Sequence, residues 1–326
     1  MNTTDLFLSL TPHKVLEAVE DAGFPVNPLC YPLNSFENRV YEVELEDRSR
    51  LVAKFYRPGR WSPEQILEEH LFLADLAEAE VPVCLPRTLR GGGTLGTIDG
   101  ISYCLFPRVG GRAPDEPDAD LLERLGMLAA RIHNVGAGRP AAHRVRLDAD
   151  AFVRQNVAFL RDKGSIPARL LPRYERAARA IADFVDEGLE GTPVHRIHGD
   201  LHLGNLLLRD GVLSVVDFDD MVVGPAVQDL WLLLPGEGVE ARIALESFLE
   251  GYEALRAFDR KSLRLATPLR GLRRVHYAAW IARRFHDPIF PRTFPHFGTE
   301  AYWEEETRDL EQIVRMITEE RGGFQA

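Results

Sequence analysis

The chain has 326 residues, 45% hydrophobic and 27% charged, and its 50 acidic and 39 basic side chains leave a net charge of −11. That composition excludes a disordered or collagen-like chain, and the length allows a large core in one big domain or two lobes. The acidic balance argues against general nucleic-acid binding, which needs a basic footprint; it suits a cationic substrate and mere solubility about equally.

No apolar run of about 18 residues occurs, so no membrane span is expected. Met1-Asn2-Thr3-Thr4-Asp5 lacks the basic segment that opens a secretory signal. Cys30, Cys84 and Cys104 have no metal-ligand spacing, and reduced, buried thiols in a cytoplasmic protein are the simplest expectation.

Along the chain, Arg39 to Leu45 alternates apolar and polar residues, the period of a half-buried strand. A turn at Glu46-Asp47-Arg48-Ser49 leads into a second strand, Leu51 to Tyr56, completing a hairpin. Pro58-Gly59 breaks the chain. Ser62-Pro63-Glu64 then supplies an N-cap and a proline at the first position of a helix running to about Ala79. The glycine-rich stretch from Arg90 to Gly100 suggests a hairpin region, and Ile101 to Phe106 a further strand. Pro107 to Pro117, rich in glycine and proline, reads as a lobe connector.

From Asp120 onward helical spacing dominates, with Leu121, Leu125, Leu128 and Ile132 on one face. Further helices are expected at 149–162, 169–187, 239–257, 268–286 and 303–320. Only 195–220 interrupts them with strands. Arg270, Arg273, Arg274, Arg283 and Arg284 form a basic cluster, with Val275, Ala278, Ala279 and Ala282 nearer the core. A solvated helix face is the leading reading of the cluster, and a docking surface for an acidic partner the alternative. The layout predicts an α+β, protein-kinase-like bilobal fold. A small β-rich lobe with one main helix would span 1–107 and a large, mainly α-helical lobe 108–326, with a nucleotide between them.

The interrupting segment carries the chemistry. His198-Gly199-Asp200 is followed by Asn205, five residues after the aspartate, the spacing of the kinase pattern H-R-D-x-x-x-x-N. Leu213-Ser214-Val215-Val216 then delivers Asp217-Phe218-Asp219 where D-F-G would sit. Gly-Asp is a common turn and D-F-D could merely end a strand, but the joint pattern is far more specific. In phosphoryl transfer one carboxylate orients the attacking hydroxyl and takes its proton. An amide and a second carboxylate hold Mg²⁺ on the ATP phosphates. Asp200 is thus the expected base, and Asn205 and Asp217 the expected Mg²⁺ ligands, since this hard cation prefers oxygen. Lys54, in Val52-Ala53-Lys54, matches the lysine that holds the α- and β-phosphates. His198 and Asp229 read as braces of the loop, and His202 as a groove or packing residue. Asp219 and Asp220 read as an acidic rim. Gly224-Pro225 follows within seven residues of Asp217, so no regulation through a long activation segment is expected.

These motifs resemble the aminoglycoside phosphotransferase and choline kinase branch of the kinase-like fold, where H-G-D-x-x-x-x-N and D-[FL]-[DE] stand. Flanking stretches resemble the bacterial stress response kinase A group more closely: Phe55 to Trp61, Gln65 to His70, Val109 to Arg112, Gly224 to Trp231 and Ala279-Trp280. The resemblance covers about residues 10 to 320. It implies a Ser/Thr protein kinase acting on protein substrates, itself among the candidates, as a cytoplasmic monomer. It places Glu69, with Glu68 as rival, opposite Lys54. It also implies that Ser35 meets the nucleotide phosphates from the glycine-free loop Leu33 to Asn38; an ordinary polar hairpin tip is the alternative there. A kinase for an amino sugar, choline or homoserine, and a catalytically dead binding module, are the competing functions.

Overall fold

The computed structural model describes residues 3–115, 117–234 and 238–323. Met1 and Asn2 of the N-terminal segment, and Glu116 of the connector, lie outside the described residues. Strands β1 (Val26–Pro32), β2 (Arg39–Leu45), β3 (Arg50–Phe55), β4 (Gly96–Ile98) and β5 (Ile101–Pro107) form one sheet in the order β1-β2-β3-β5-β4. All neighbours are antiparallel.

Strand alternation sets what each face of this sheet does. Leu51, Ala53 and Phe55 of β3 point into a core shared with α1 (Thr3–Leu8) and α2 (Pro12–Asp21). Val52 and Lys54, the residues between, line a cleft on the opposite face. Helix α3 (Pro63–Glu78) starts with a capping box. The Ser62 hydroxyl accepts from Gln65 N, and the Gln65 side chain accepts from Ser62 N, an arrangement worth about 1 kcal/mol. Its Phe72, Leu73 and Leu76 enter a second, larger core made mostly by the C-terminal helices.

Those helices are α4 (Ala119–Gly138), α5 (Gln155–Asp162), α6 (Leu171–Leu189), α7 (Val227–Trp231), α8 (Gly238–Glu253), α9 (Ala266–Arg284), α10 (Ile289–Thr293) and α11 (Glu300–Gly323). A π-helical turn, Asp150–Arg154, runs into α5. Two strand pairs interrupt them: β6 (Val194–Ile197) with β9 (Val222–Pro225), and β7 (Leu206–Arg209) with β8 (Val212–Val215).

The sequence readings hold for β2, β3, β5, α3, α6, α8, α9 and α11, while the helix expected at 149–162 is a π-helical turn running into the eight-residue α5. Three details differ. The N-terminal part holds the shorter α1 and α2 besides its main helix α3; Thr11 caps α2 and Pro12 opens it, so a start signal was present. Leu122, not Leu121, takes the buried place at the head of α4. Of the three free cysteines only Cys104 is buried, while Cys30 and Cys84 are half-buried.

Candidate active site

The loop after β6 is held by its own backbone partners. Gly199 has φ +85°, and a Cβ there would lie 2.2 Å from the Asp220 carbonyl oxygen, so both conformation and space demand glycine. His198 accepts at Nδ1 from Asp200 N (3.3 Å) and donates from Nε2 to Val216 O (3.0 Å), which assigns its tautomer. Asp229, fully buried, accepts from His198 N and Gly199 N at 2.8 Å each and meets His133 Nε2 at 3.1 Å. Burial alone would raise its carboxyl, but these donors lower it. Phe218 packs beneath, with its ring centroid 4.5 Å from that of His198 and 5.7 Å from that of Phe72.

Asp200 faces two cationic or donor groups. Arg273 Nη2 of α9 lies 2.8 Å from its Oδ1, and His202 Nε2 lies 3.5 Å from its Oδ2. Burial raises this carboxyl, but His202 and Arg273 outweigh burial and hold it well below the usual range. Asn205 donates from Nδ2 to Asp200 O at 2.9 Å. Its Oδ1 is thereby the atom left for a cation.

Asp217 sits at the end of the β8 run with φ +60° and ψ +65°, a left-handed conformation that is costly for a residue with a Cβ. Its half-exposed carboxylate lies 3.0 Å from Lys54 Nζ. Lys54 also meets Asp219 at 3.2 Å and Glu69 at 3.7 Å. Burial would depress the ammonium, but Asp217, Asp219 and Glu69 together raise it well above the lysine range. Burial pushes the Glu69 carboxyl up, against Lys54 on one oxygen and Arg144, at 2.9 Å, on the other. Glu68 points elsewhere and accepts the backbone N–H groups of Ala142, His143 and Arg144. Glu69 is therefore the residue opposite Lys54.

Asp219 is not part of an exposed rim. It is 2% exposed and clasped between Lys54 and Arg60, which also pairs with Asp220. Ser35, in the turn between β1 and β2, overhangs the same cleft of about 690 Å³ that Lys54, Glu69, Asp200, Asn205 and Asp217 line. The turn is anchored by Glu37, which accepts from Trp280 Nε1 and from Arg284 Nη2 (2.9 Å) of α9.

The donor set fits a magnesium nucleotide. Among the described residues no three His, Cys, Asp or Glu side chains gather as a metal cage. Mg²⁺ on a nucleotide needs none, because it takes one or two protein oxygens and fills its octahedron with phosphate and water.

The phosphotransferase enzyme family model matches residues 31–266. The chain belongs to that family. Stress response kinase A of Escherichia coli (strain K12) is 39% identical over 319 residues, covering 98% of this chain and 97% of that protein. Serine/threonine protein kinase RdoA of Salmonella typhimurium is 39% identical over 314 residues, covering 96% and 95%. Among solved structures, amicoumacin kinase hAmiN in complex with AMP-PNP, Ca²⁺ and Ami superposes with a TM-score of 0.73 at 18% identity, covering 98% of this chain and 96% of that one. A microcompartment-associated aminopropanol kinase gives 0.72 at 22%, covering 93% and 97%. This phosphotransferase thus has the kinase-like α+β fold and is a kinase.

Sequence reasoning did not single out Arg60, Arg144, Glu37 or Arg273 as site residues. The basic cluster of α9 is more than a solvated face. In the structure Arg273 reaches Asp200, Arg284 reaches Glu37, and Arg274 pairs with Glu306 and Asp309. Arg270 and Arg283 lie over the rings of Trp231 and Phe159. Helical spacing tells that these residues share a side; it does not tell what lies across from them.

Proposed function

We propose that this phosphotransferase is an ATP-dependent Ser/Thr protein kinase of the bacterial stress response, acting in the cytoplasm as a monomer. In this reading residues 1–107 form the nucleotide lobe and 108–326 the catalytic and substrate lobe. The observation that carries phosphoryl transfer is the convergence of Lys54, Asp200, Asn205 and Asp217 on one cleft. The Ser/Thr acceptor is supported by two relatives, one named a serine/threonine protein kinase, that match nearly end to end at 39% identity.

Lys54, steered by Glu69, holds the α- and β-phosphates, and the Ser35 loop covers them. Asn205 Oδ1 and Asp217 would hold Mg²⁺, which supplies charge neutralisation for the phosphates when bound. Asp200 orients the acceptor hydroxyl. The hydroxyl oxygen bonds to the γ-phosphorus as the bond from that phosphorus to the bridging oxygen breaks. ADP leaves with the electron pair, and the hydroxyl proton passes to Asp200. A carboxylate held this far below its usual range is a weak base, so positioning is its larger contribution.

Labelled ATP, followed by acid hydrolysis of the labelled protein, tests the reading. Phosphoserine or phosphothreonine is expected on a generic protein substrate and on the kinase itself. Efficient turnover of an amino alcohol or sugar, with neither phosphoamino acid formed, would reject it.

A further inference from the structure

The carboxyl group of Asp200 is held by other partners than its backbone. Asp200 N donates to His198 Nδ1, and Asp200 O accepts from Asn205 Nδ2. These bonds fix the main chain and leave the terminal torsion of the side chain, which is intrinsically broad, unset. Among the described residues two side chains meet the carboxyl oxygens. Arg273 Nη2 lies 2.8 Å from Oδ1, and His202 Nε2 lies 3.5 Å from Oδ2. His202 Nδ1 accepts from Gly204 N, which leaves Nε2 as the donor, but 3.5 Å is a loose contact. Arg273 is the firm hold.

The side from which Arg273 acts is also defined. Asp200 and His202 line the cleft, and Arg273 is not among the lining residues. Oδ1 is buried and has no hydrogen bond beside this ion pair, while the Asp200 side chain keeps 21% of its surface. Arg273 stands on α9, whose Leu269, Leu272, Val275 and Ala279 are buried in the core, so its support is rigid. The guanidinium takes the buried oxygen and leaves Oδ2 for the cleft.

We propose that Arg273 is a positioning residue for phosphoryl transfer, pinning Oδ1 of Asp200 so that Oδ2 meets the acceptor hydroxyl. The inference rests on Asp200 as the residue that orients that hydroxyl, whichever acceptor carries it. Without Arg273 the buried oxygen loses its partner, and turning toward water in the cleft is the way to regain one. The hydroxyl would then face a carboxylate with no fixed direction. In-line attack tolerates little such spread, since about 1 Å of misplacement can lower the rate about 10²-fold. A planar, permanently charged guanidinium suits this task better than a flexible ammonium.

Transfer of labelled phosphate to casein, to ethanolamine and to the enzyme itself tests the inference beside nucleotide titration, with the full chain throughout. Arg273→Gln is expected to lower kcat about ten- to a hundredfold on the acceptor that the parent uses, with Mg-ATP affinity within about twofold. Guanidinium, added well below denaturing concentrations, should restore part of that loss. In an Asp200→Ala background Arg273→Gln should lower kcat no further, because it acts through the carboxylate. Should Arg273→Gln fail to fold, Arg273→Met, which keeps the aliphatic stem, enters the same cycle. Parental kcat in the Arg273 variant, or a full further loss in the double variant, overturns the inference alone. Parental turnover in Asp200→Ala overturns the reading of Asp200, and the inference with it.

Discussion

Lys54 Nζ lies 3.0 Å from Asp217 Oδ1, although 163 residues separate the two in the chain. One comes from β3 and the other from the end of the β8 run, so the contact closes the cleft from both sides. Without a nucleotide each neutralises the other. Lys54→Met should lower kcat/KM by roughly 10²–10³-fold, the scale for removing one preorganised donor. It should also lower thermal stability, because Glu69 and Asp219 lose a buried counter-charge. A variant with wild-type turnover would separate Lys54 from the reaction.

Asp200 and Asp217 should separate kinetically. Asp200→Asn is expected to lower kcat about 10³-fold with Mg-ATP affinity nearly unchanged, since its proposed contact is with the acceptor. Asp217→Asn should weaken Mg-ATP binding at least about tenfold as well. Nucleotide titration beside steady-state kinetics checks both; equal loss of nucleotide affinity in the two would refute the division.

Adjacent glutamates should fail differently. Glu68→Ala removes the acceptor of three backbone N–H groups and should cost about 2 kcal/mol of stability, with residual activity in the folded fraction. Glu69→Ala should lose activity first, because it faces Lys54 and Arg144. Urea unfolding and turnover, measured on both, give the comparison; matching profiles would count against it.

Glu306 sets a pH dependence of stability. Burial raises its carboxyl to about 7 against the pull of Arg274, with Asp309 and Glu305 adding to the rise. Between the unfolded value near 4.5 and about 7 the folded state holds a proton that the unfolded state has released. Stability therefore falls as pH rises through that window, by at most about 3 kcal/mol. Glu306→Gln should match the parent near pH 5 and exceed it at pH 8. Urea midpoints at the two pH values measure this, and a variant weaker at pH 8 would contradict it.

The parts legible in sequence were those whose signal is local. Gly199, Asp200 and Asn205 lie within one short loop, and β3 announces Lys54 by alternation. Ser62 and Pro63 mark the start of α3 by capping chemistry. What stayed hidden depends on distant pairing. Nothing near Arg144 says that it will clasp Glu69, 75 residues earlier, and nothing in α9 says that Arg273 will meet Asp200. The choice between Glu68 and Glu69 likewise needed the loop at 142–144, which takes Glu68 away. Helix α2 had a capping signal at Thr11-Pro12, but its burial depends on the sheet face that β3 offers.

The turn over the cleft has no glycine between Leu33 and Asn38, and Glu37 ties it to Trp280 and Arg284. Its position is therefore set from outside, by the same helix that carries Arg273. Nucleotide and acceptor then share a mechanical element, and thermodynamic reciprocity applies to their binding. In the proposed kinase, whatever factor an acceptor at Asp200 adds to ATP affinity, ATP must add to the affinity for that acceptor. Cutting the tether with Glu37→Ala, which removes both acceptor oxygens, should weaken that reciprocity.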